Sequence, residues 1–410
     1  MDQAASVPVP TLLFGAMDRH NLGDLLFPHI AAALLPRDEL IFAGLAERDL
    51  RPFGGHLVRA LAPLAAQWGD RPVRLLHVGG EILTCDAWQS AVMLLPPEQA
   101  QATIAYLAAR PRVRAAWVRR TLGVVARAPY TLSRALFPGA VRVMYNSVGG
   151  VGLAHSRPAL RAEVLANLRA ADAVAVRDEH TFAQLQAAGI AARLMPDPAV
   201  MLAELFGPRI RARGEEGPVA EVRRVFAQGH LAVQFGAEFG DDATLDAIAV
   251  QLDRVVAATG LGVVLFRAGA APWHDNLADC ERVAARMVPG TVRIFPSLHL
   301  WDLCALIAGS RGYGGSSLHG RIVAMAFALP RVNLGPETPS VRPTKHAAFA
   351  ATWEAPRQPG VVPVPAFADG LLAALAVPPA RLQQTARDLV ASYRAGVAEV
   401  IGTRGGPGPQ

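Results

Sequence analysis

"RGYGGSSLHGRIVAMAFALP", residues 311–330, has the pattern of a short strand, a Gly-Ser turn and an apolar helix that ends before Pro330. An unbroken apolar run follows Arg321, which is typical of a helix buried in a core. His319 stands at the polar turn that opens this helix, outside the apolar run. We therefore expect its imidazole to face a ligand at the helix N-terminus, with a capping histidine of no further function as the alternative.

The same alternation of short apolar runs and helical patterns extends along most of the chain. The predicted strands are 11–16, 73–79, 141–148, 173–177, 192–195, 231–236, 262–269, 292–296, 311–315 and 331–335. This alternation predicts α/β architecture with parallel sheets and crossover helices. The charged, Gly- and Pro-containing segment 206–221 separates the two sets of strands and is predicted to be a linker. We therefore expect two Rossmann-like domains, 1–205 and 222–400, that face each other across a cleft, with a disordered tail at 401–410.

Composition limits the function classes. The chain has 410 residues, 52% of them hydrophobic and 18% charged, which suits a folded protein of more than one domain. No uncharged apolar run reaches about 18 residues, so no membrane-spanning helix is expected. The N-terminus lacks the basic start of a signal peptide, and we expect a cytoplasmic protein. Its cysteines, Cys85, Cys280 and Cys304, are too few and too scattered for a disulfide framework or a metal-binding cluster.

The net charge of +6 comes almost entirely from arginine, since Lys345 is the only lysine. A Walker-type phosphate loop needs a Gly-Lys-Ser/Thr sequence, and this chain has none. Aromatic residues are sparse and no nucleic-acid-binding motif accompanies the positive charge, so nucleic acid is not expected as a partner.

Three turns in the first half carry polar residues where strands end. In "DRHNLGDLLFPHI" (18–30), Asn21 and Asp24 precede an apolar helix, and helix capping is the alternative to a binding role. In "HVGGEIL" (77–83), Gly80 allows close approach of a ligand and Glu81 follows it. In "NSVGG" (146–150), Asn146 is a candidate donor to a sugar. Ligands of open α/β sheets gather at the carboxyl ends of strands, so we expect these residues near the cleft.

Two further turns suggest an anion site. Arg177 ends an apolar strand in "AVAVRDEHTFAQLQAAGI" (173–190), and either binds an anion or forms a structural ion pair. Asp178 and Glu179 after it suit the first turn of a helix. In the second half, the backbone N–H groups of Ser316, Ser317 and Leu318 would point at an anion from a helix N-terminus. Arg321 would add positive charge if it faces the cleft.

Five segments together resemble the polysaccharide pyruvyl transferase family: "NLGDLL", "HVGGEIL", "VRDEHTFAQLQAAGI", "DPAVML" and "SSLHGRIVAMAFALP". The resemblance extends over about residues 11–335 and is most specific in the last segment. It implies a GT-B-like fold, phosphoenolpyruvate as donor and a pair of sugar hydroxyls as acceptor. It also implies that Arg177 and the turn Ser317-Leu318-His319 bind the donor. Some family members carry arginine at the position of Ser317.

Pyruvyl transfer requires a general acid, a general base and fixed positive charge for carboxylate and phosphate. We assign His319 as acid/base and phosphate contact, Arg177 as the anion clamp, and Asp24 or Glu81 as the base on the acceptor side. This chemistry needs no metal and no cofactor, since phosphoenolpyruvate is the donor substrate. The acceptor would be a saccharide of a cell-surface polysaccharide or its precursor, free or lipid-linked.

Two other functions fit the same fold, because fold alone does not fix function. A GT-B glycosyltransferase would use a nucleotide sugar and would need a carboxylate for its ribose, for which Glu337 is the candidate. A sugar-binding protein without catalysis is the third hypothesis.

Residues 110–134 fall outside the strand and helix pattern and carry seven arginines interleaved with Val, Leu and Trp117. Basic amphipathic segments favour anionic lipid, so this insert is predicted to rest on the inner face of the membrane or on an anionic acceptor carrier. The alternative is a solvated helical face.

Overall fold

The computed structural model describes residues 9–35, 38–336, 343–355 and 358–402. Within these ranges the chain forms two mainly parallel β-sheets with helices on both faces. This is the α/β architecture with two Rossmann-like domains that the sequence predicts.

The first sheet has eight strands in the described ranges, in the order β3-β4-β2-β1-β5-β6-β7-β8. All neighbours pair in parallel except β3 and β4. The strands are β1 (Thr11–Phe14), β2 (Leu40–Gly44), β3 (Arg48–Asp49), β4 (Leu57–Ala60), β5 (Val73–His77), β6 (Ala140–Val148), β7 (Ala173–Val176) and β8 (Arg193–Leu194).

The second sheet has six strands in the part of the chain that the structure describes, in the order β11-β10-β9-β12-β13-β14. Every pair of neighbours is parallel. The strands are β9 (His230–Gln234), β10 (Gly262–Leu265), β11 (Val292–Ile294), β12 (Gly312–Gly315), β13 (Arg331–Gly335) and β14 (Val361–Pro363).

Helices connect the strands and cover the sheets. In chain order they are α1 (Leu22–Leu34), α2 (Leu61–Trp68), α3 (Ala87–Met93), α4 (Pro97–Ala108), α5 (Pro111–Leu122), α6 (Pro158–Arg169), α7 (Glu179–Ala187), α8 (Leu202–Arg213), α9 (Gly217–Val225), α10 (Asp242–Thr259), α11 (Leu277–Arg286), α12 (Leu300–Ala308), α13 (Leu318–Ala326), α14 (Lys345–Trp353), α15 (Phe367–Leu375) and α16 (Pro379–Ile401). No helix among the described residues is both long and apolar enough to cross a bilayer.

All ten predicted strands are present, each within a few residues of its expected limits. The sequence analysis did not predict β2, β3, β4 or β14. β3 is an exposed pair of residues, and in β4 buried and exposed positions alternate at an edge of the first sheet. Such short, half-exposed strands lack the continuous apolar run of a central parallel strand.

The segment 206–221, which is predicted to be a linker, consists of most of α8 and the first half of α9. α8 packs against α12 of the second domain, and the short turn Pro198–Met201 leads into it. The connection is therefore a packed helical unit. Residues 403–410 of the predicted disordered tail lie outside the described residues.

The last helix joins the two domains a second time. α16 follows the second sheet in the chain but packs against β6 and β7 of the first sheet. Tyr393 on this helix is fully buried and hydrogen-bonds Asn146 of β6. The predicted unit 222–400 therefore includes a helix that belongs spatially to the first domain.

Both sheets change direction at a defined point. In the first sheet this point lies between β1 and β5: the strands from β2 to β4 are added on one side of β1, and those from β5 to β8 on the other. In the second sheet the equivalent change lies between β9 and β12. Ligands of open parallel sheets bind at the carboxyl ends of strands at such points. The fold therefore predicts a site where the carboxyl ends of β1, β5, β9 and β12 meet.

Candidate functional site

A cavity of about 350 Å³ lies at this meeting point, between the two domains. Its first-domain wall comes from the segments that follow β1 and β5, from α3 and from Arg177 after β7. Its second-domain wall comes from the segments after β9, β10 and β12 and from the start of α14. Of the predicted site residues, eight line this cavity: Asn21, Asp24, Glu81, Arg177, Ser316, Ser317, Leu318 and His319.

The first-domain wall is organised by the start of α1. Asn21 caps this helix, and its side-chain oxygen accepts hydrogen bonds from the backbone N–H groups of Gly23 and Asp24. Capping fixes the first turn, so the Asp24 carboxylate points into the cavity. Its nearest cation is Arg19, whose Nε lies 3.5 Å from Asp24 Oδ2. Arg19 also donates to Tyr130 Oη at 3.2 Å, and the sequence analysis did not identify it as a site residue.

The second-domain wall is organised by the turn from β12 to α13. Gly315 has φ +159°, and a Cβ there would lie 2.0 Å from the carbonyl oxygen of Gln234 on β9, so only glycine fits. Ser317 caps α13 by accepting from Gly320 N at 3.1 Å, and Ser316 Oγ accepts from Gly236 N. The N–H groups of Ser316 and Ser317 already have partners, since they donate to the Gln234 carbonyl oxygen and to Tyr313 Oη, both at 3.1 Å. Of the three N–H groups in the predicted anion site, only that of Leu318 has no partner among the described residues.

His319 reaches across the cleft to the first domain. The imidazole packs directly on the backbone of Gly23, where a Cβ would lie only 2.2 Å from the ring. The centroids of the His319 and Phe27 rings are 5.1 Å apart. Nε2 of His319 lies 3.5 Å from Oδ2 of Asp197, which is fully buried. The His319 side chain is only 13% exposed. It lines the cavity and also forms part of the contact between the two domains.

Asp197 is positioned to orient that imidazole. Its Oδ1 accepts a hydrogen bond from Ala199 N at 3.0 Å, and its Oδ2 accepts one from Arg177 at 2.9 Å. Burial alone would raise the pKa of Asp197, but His319 and Arg177 outweigh this effect and lower the pKa below its usual value. Asp197 is therefore an anion beside the His319 ring, a role that a lone aspartate between two prolines did not reveal in the sequence.

Arg177 lines the cavity, but its guanidinium is already paired. It is buried, and its two terminal nitrogens donate to Asp197 at 2.9 Å and to Glu81 at 2.7 Å. The second Glu81 oxygen accepts from Val151 N at 3.0 Å. The ion pair that the sequence analysis gave as the alternative for Arg177 is thus present in the structure. Glu81 is a less available base than Asp24 for the same reason, since both of its oxygens accept hydrogen bonds.

Lys345 contributes a cation to the cavity that sequence reasoning missed. It is the first residue of α14, which is capped by Thr344 and ends at Trp353, whose Nε1 donates to the Arg177 carbonyl oxygen at 2.7 Å. This contact fixes α14 against the first domain and places the Lys345 side chain on the cavity wall. Partial desolvation there lowers the pKa of Lys345, although nearby Glu81 opposes the shift. Lys345 forms no salt bridge within the described residues.

The loop after β10 supplies further polar groups that the sequence analysis did not select. Burial lowers the pKa of His274 to about 4, with Arg19 adding to the shift, so this imidazole is neutral at pH 7. Burial raises the pKa of Asp275 to about 7. Asp275 accepts from Gln234 Nε2 at 2.7 Å and from the N–H of Ala268 at 2.5 Å, which holds the loop against β9. These residues shape the cavity between the domains.

Arg321 does not face the cleft, and that prediction is wrong. It is fully buried, and its Nε and a terminal nitrogen donate to Glu354 at 2.9 and 2.5 Å. Arg331 donates to the same carboxylate at 3.0 Å. Residues two apart on a helix point about 200° apart, so when His319 faces the cavity Arg321 must face away from it.

Asn146 and Gly80 do not line the cavity, although Gly80 lies beside the Asp24 carboxylate. Asn146 is inside β6, where its amide exchanges hydrogen bonds with Tyr393 of α16, so it offers no donor to a sugar. Gly80 accepts from Gly149 N through its carbonyl oxygen and helps to connect the ends of β5 and β6. Asp178 and Glu179 lie at the start of α7, as the sequence predicts, with Asp178 as the N-cap and Glu179 in the first turn. Glu337 lies outside the described residues.

The sequence model of the polysaccharide pyruvyl transferase family matches residues 147–338. This range includes Arg177, Asp197 and the turn Ser317-Leu318-His319. It does not include Asp24, Glu81 or Lys345. The family resemblance found in the sequence is confirmed for this segment. A search of curated protein sequences gave no match.

Solved structures confirm the predicted GT-B-like fold. UDP-GlcNAc 2-epimerase from Neisseria meningitidis, bound to UDP-GlcNAc, is 9% identical with a TM-score of 0.52, over 97% of this chain and 100% of that chain. UDP-GlcNAc 2-epimerase from Methanocaldococcus jannaschii, in complex with UDP-GlcNAc and UDP, is 9% identical with a TM-score of 0.51, over 95% and 100%. At this identity the likeness concerns the fold alone.

Proposed function

We propose that this chain is a transferase that moves pyruvate from phosphoenolpyruvate onto two hydroxyls of a sugar as a cyclic ketal, because residues 147–338 match the sequence model of the polysaccharide pyruvyl transferase family. The observation that carries this proposal is that three groups line one cavity: the His319 imidazole, the Asp24 carboxylate and the Lys345 ammonium. They come from different elements of both domains and provide an acid, a base and a positive charge.

The donor is proposed to bind at the second-domain wall. Phosphoenolpyruvate carries a phosphate and a carboxylate, and the N-terminus of α13 and Lys345 both favour anions. Arg177 lies behind this position, where its pairing with Glu81 and Asp197 leaves less of its charge for the donor. Lys345 therefore takes the part of first donor cation that the sequence analysis gave to Arg177.

In the first step, protonated His319 gives its proton to the methylene carbon of phosphoenolpyruvate, which becomes a methyl group. The adjacent carbon, which bears the phosphate, becomes electron-deficient, and one sugar hydroxyl attacks it. Asp24 accepts the proton of that hydroxyl. Asp197, held by Arg177 and Ala199, orients the His319 ring for this transfer.

In the second step, the carbon–oxygen bond to phosphate breaks and inorganic phosphate leaves. The neighbouring sugar hydroxyl attacks the same carbon, and its proton returns to His319. The ketal ring closes on two oxygens of the acceptor. One proton enters the methyl group and two leave the hydroxyls; the proton taken up by Asp24 passes to the departing phosphate. His319 and Asp24 thus return to their starting states, and inorganic phosphate is the only other product. The proposed steps use side chains of this protein and require no cofactor.

The acceptor is proposed to enter along the first-domain wall, where Gln89 and Met93 of α3 and Tyr130 line the cavity beside Asp24. Its chemical class is a saccharide of a cell-surface polysaccharide or its precursor, free or lipid-linked. We propose that the protein works in the cytoplasm, at the inner face of the membrane.

The test is incubation of the purified protein with phosphoenolpyruvate and a panel of glycans that present adjacent or 1,3-related hydroxyl pairs. The proposal predicts phosphate release that depends on one of these acceptors, and a product whose mass corresponds to an added pyruvate ketal. A parallel reaction with nucleotide sugars tests the glycosyltransferase alternative. Turnover of a nucleotide sugar, or saturable glycan binding without any turnover, would refute pyruvyl transfer in favour of the corresponding alternative.

A further inference from the structure

A strongly basic surface lies outside the cavity, on α5 and the turn that follows it. We call it the basic face. Its centre is Arg112, Arg119 and Arg120, which lie within about 100° of one another around α5. Arg110 and Arg114 flank it from the other side of the helix, over the rings of Tyr106 and Trp88, and Arg127 lies in the following turn. Glu98 is the only acidic residue between positions 97 and 134. Among the described residues only Arg127 of this set has a carboxylate partner, Glu163 at 3.5 Å. The basic face is therefore largely uncompensated positive charge.

The same surface exposes apolar side chains. Val125 is 88% exposed and Tyr106 is 56% exposed. Such residues gain no free energy from water or from a soluble polyanion, but they do gain it by entering an acyl boundary. The exposed side chains therefore favour a partner that offers both negative charge and hydrocarbon.

Two shallow furrows flank α5 and mix these chemistries. A furrow of about 440 Å³ lies between α3 and α5 and contains Trp88 with Val118 and Val125. A furrow of about 560 Å³ lies between α4 and α5 and contains Trp117 and Tyr106. The Trp88 and Trp117 rings are 5.7 Å apart. Aromatic rings beside arginines are typical of surfaces at the headgroup level of a bilayer.

The basic face is close to the cavity, with α3 between them. Gln89 and Met93 of this helix line the cavity, whereas Trp88 lines the furrow beside α5. An α-helix with its side chains is about 10 Å across, so the two sites are one helix apart. One lipid-linked sugar could thus have its headgroup at the basic face and its sugar in the cavity.

We propose that the basic face docks the protein on an anionic phospholipid bilayer, with Val125 and the furrow aromatics inserted at the headgroup level and the arginines on the phosphates. The docking is peripheral, and it stands whether or not the cavity performs pyruvyl transfer.

The experiment is vesicle flotation of the full chain. One vesicle contains equal parts phosphatidylglycerol and phosphatidylcholine, and the other contains phosphatidylcholine alone. We expect flotation with the first and none with the second. Replacing Arg112, Arg119 and Arg120 together by Gln should weaken binding on the order of a hundredfold, since each arginine near an anionic surface contributes about fivefold. These three side chains have no salt bridge among the described residues, so the melting temperature should not change.

Two further variants separate docking from nonspecific attraction. Val125→Ser removes the apolar contact without changing the net charge, and it should weaken binding to anionic vesicles severalfold. The control replaces Arg311, Arg381 and Arg387, exposed arginines outside the basic face, by Gln, and it should bind like the unmodified protein. Equal losses in both triple variants would overturn the proposal, because net charge would then explain binding. Absence of flotation with anionic vesicles, or normal binding by Val125→Ser, would overturn it as well.

Discussion

Replacement of Lys345 by Gln should separate donor binding from folding. The side chain is exposed to the cavity and makes no salt bridge within the described residues, so its loss should change the free energy of unfolding by less than about 0.5 kcal/mol. A hydrogen bond between an ammonium and a phosphate or carboxylate contributes about 1.5–3 kcal/mol. At 1.4 kcal/mol per factor of ten, Lys345→Gln should weaken phosphoenolpyruvate binding by about ten- to a hundredfold.

The assay is isothermal titration calorimetry with phosphoenolpyruvate, accompanied by thermal melting. The titration is repeated over a range of pH, because desolvation lowers the pKa of Lys345. As pH rises through this lowered pKa the ammonium loses its charge, so donor affinity should fall at lower pH than an ordinary lysine would predict. Lys345→Arg keeps its charge throughout and should lose this pH dependence. Unchanged affinity in Lys345→Gln, with the fold intact, would refute the assignment of Lys345 as the donor cation.

Three other predictions concern the cavity. Arg177→Ala should lower the free energy of unfolding by about 3–5 kcal/mol, because two carboxylates lose their buried cation; Arg321→Ala, which breaks a buried pair away from the cavity, is the matched control for melting. Among the base candidates, Asp24→Asn should abolish turnover with donor binding intact, whereas Glu81→Gln should mainly lower the melting temperature; the reverse pattern in phosphate-release assays would exchange these roles. His319→Ala should reduce turnover by on the order of 10² or more, and His319→Gln should retain donor affinity without restoring turnover; full activity in either variant would place the acid elsewhere.

The positions of the cavity residues follow from strand ends that are visible in the sequence. Asp24, Glu81 and Arg177 follow β1, β5 and β7, and parallel strands place their carboxyl ends at one edge of a sheet. The turn before His319 was identifiable in the same way, because a Gly-Ser turn precedes an apolar run. For these four residues local pattern was sufficient to place the side chain at the cleft, whereas for Asn146 the same pattern was not.

Pattern is not sufficient to predict which partner a residue meets there. Arg177 pairs with carboxylates 96 and 20 residues away, and these contacts depend on how β5 and β7 are arranged around β6. Asn146 pairs with Tyr393, 247 residues away. Lys345 reaches the cavity only because α14 packs against the first domain through Trp353. Only tertiary packing determines these three outcomes.

Arg321 is different, because helical geometry was enough to exclude it. His319 and Arg321 are two residues apart on α13 and cannot both face the cleft. That spacing turns Arg321 into the apolar interior, where an unpaired guanidinium would cost much free energy. Its ion pair with Glu354 compensates the buried charge.

Pyruvyl transfer is tested most directly by running the reaction in D₂O and recording the NMR spectrum of the purified product. Protonation of the methylene carbon by a solvent-exchanged acid predicts a pyruvate ketal whose methyl group carries one deuterium, with one phosphate released per ketal. In His319→Gln this product should be absent although phosphoenolpyruvate still binds. A product without the ketal methyl, or a ketal whose methyl contains no deuterium, would contradict the proposed chemistry.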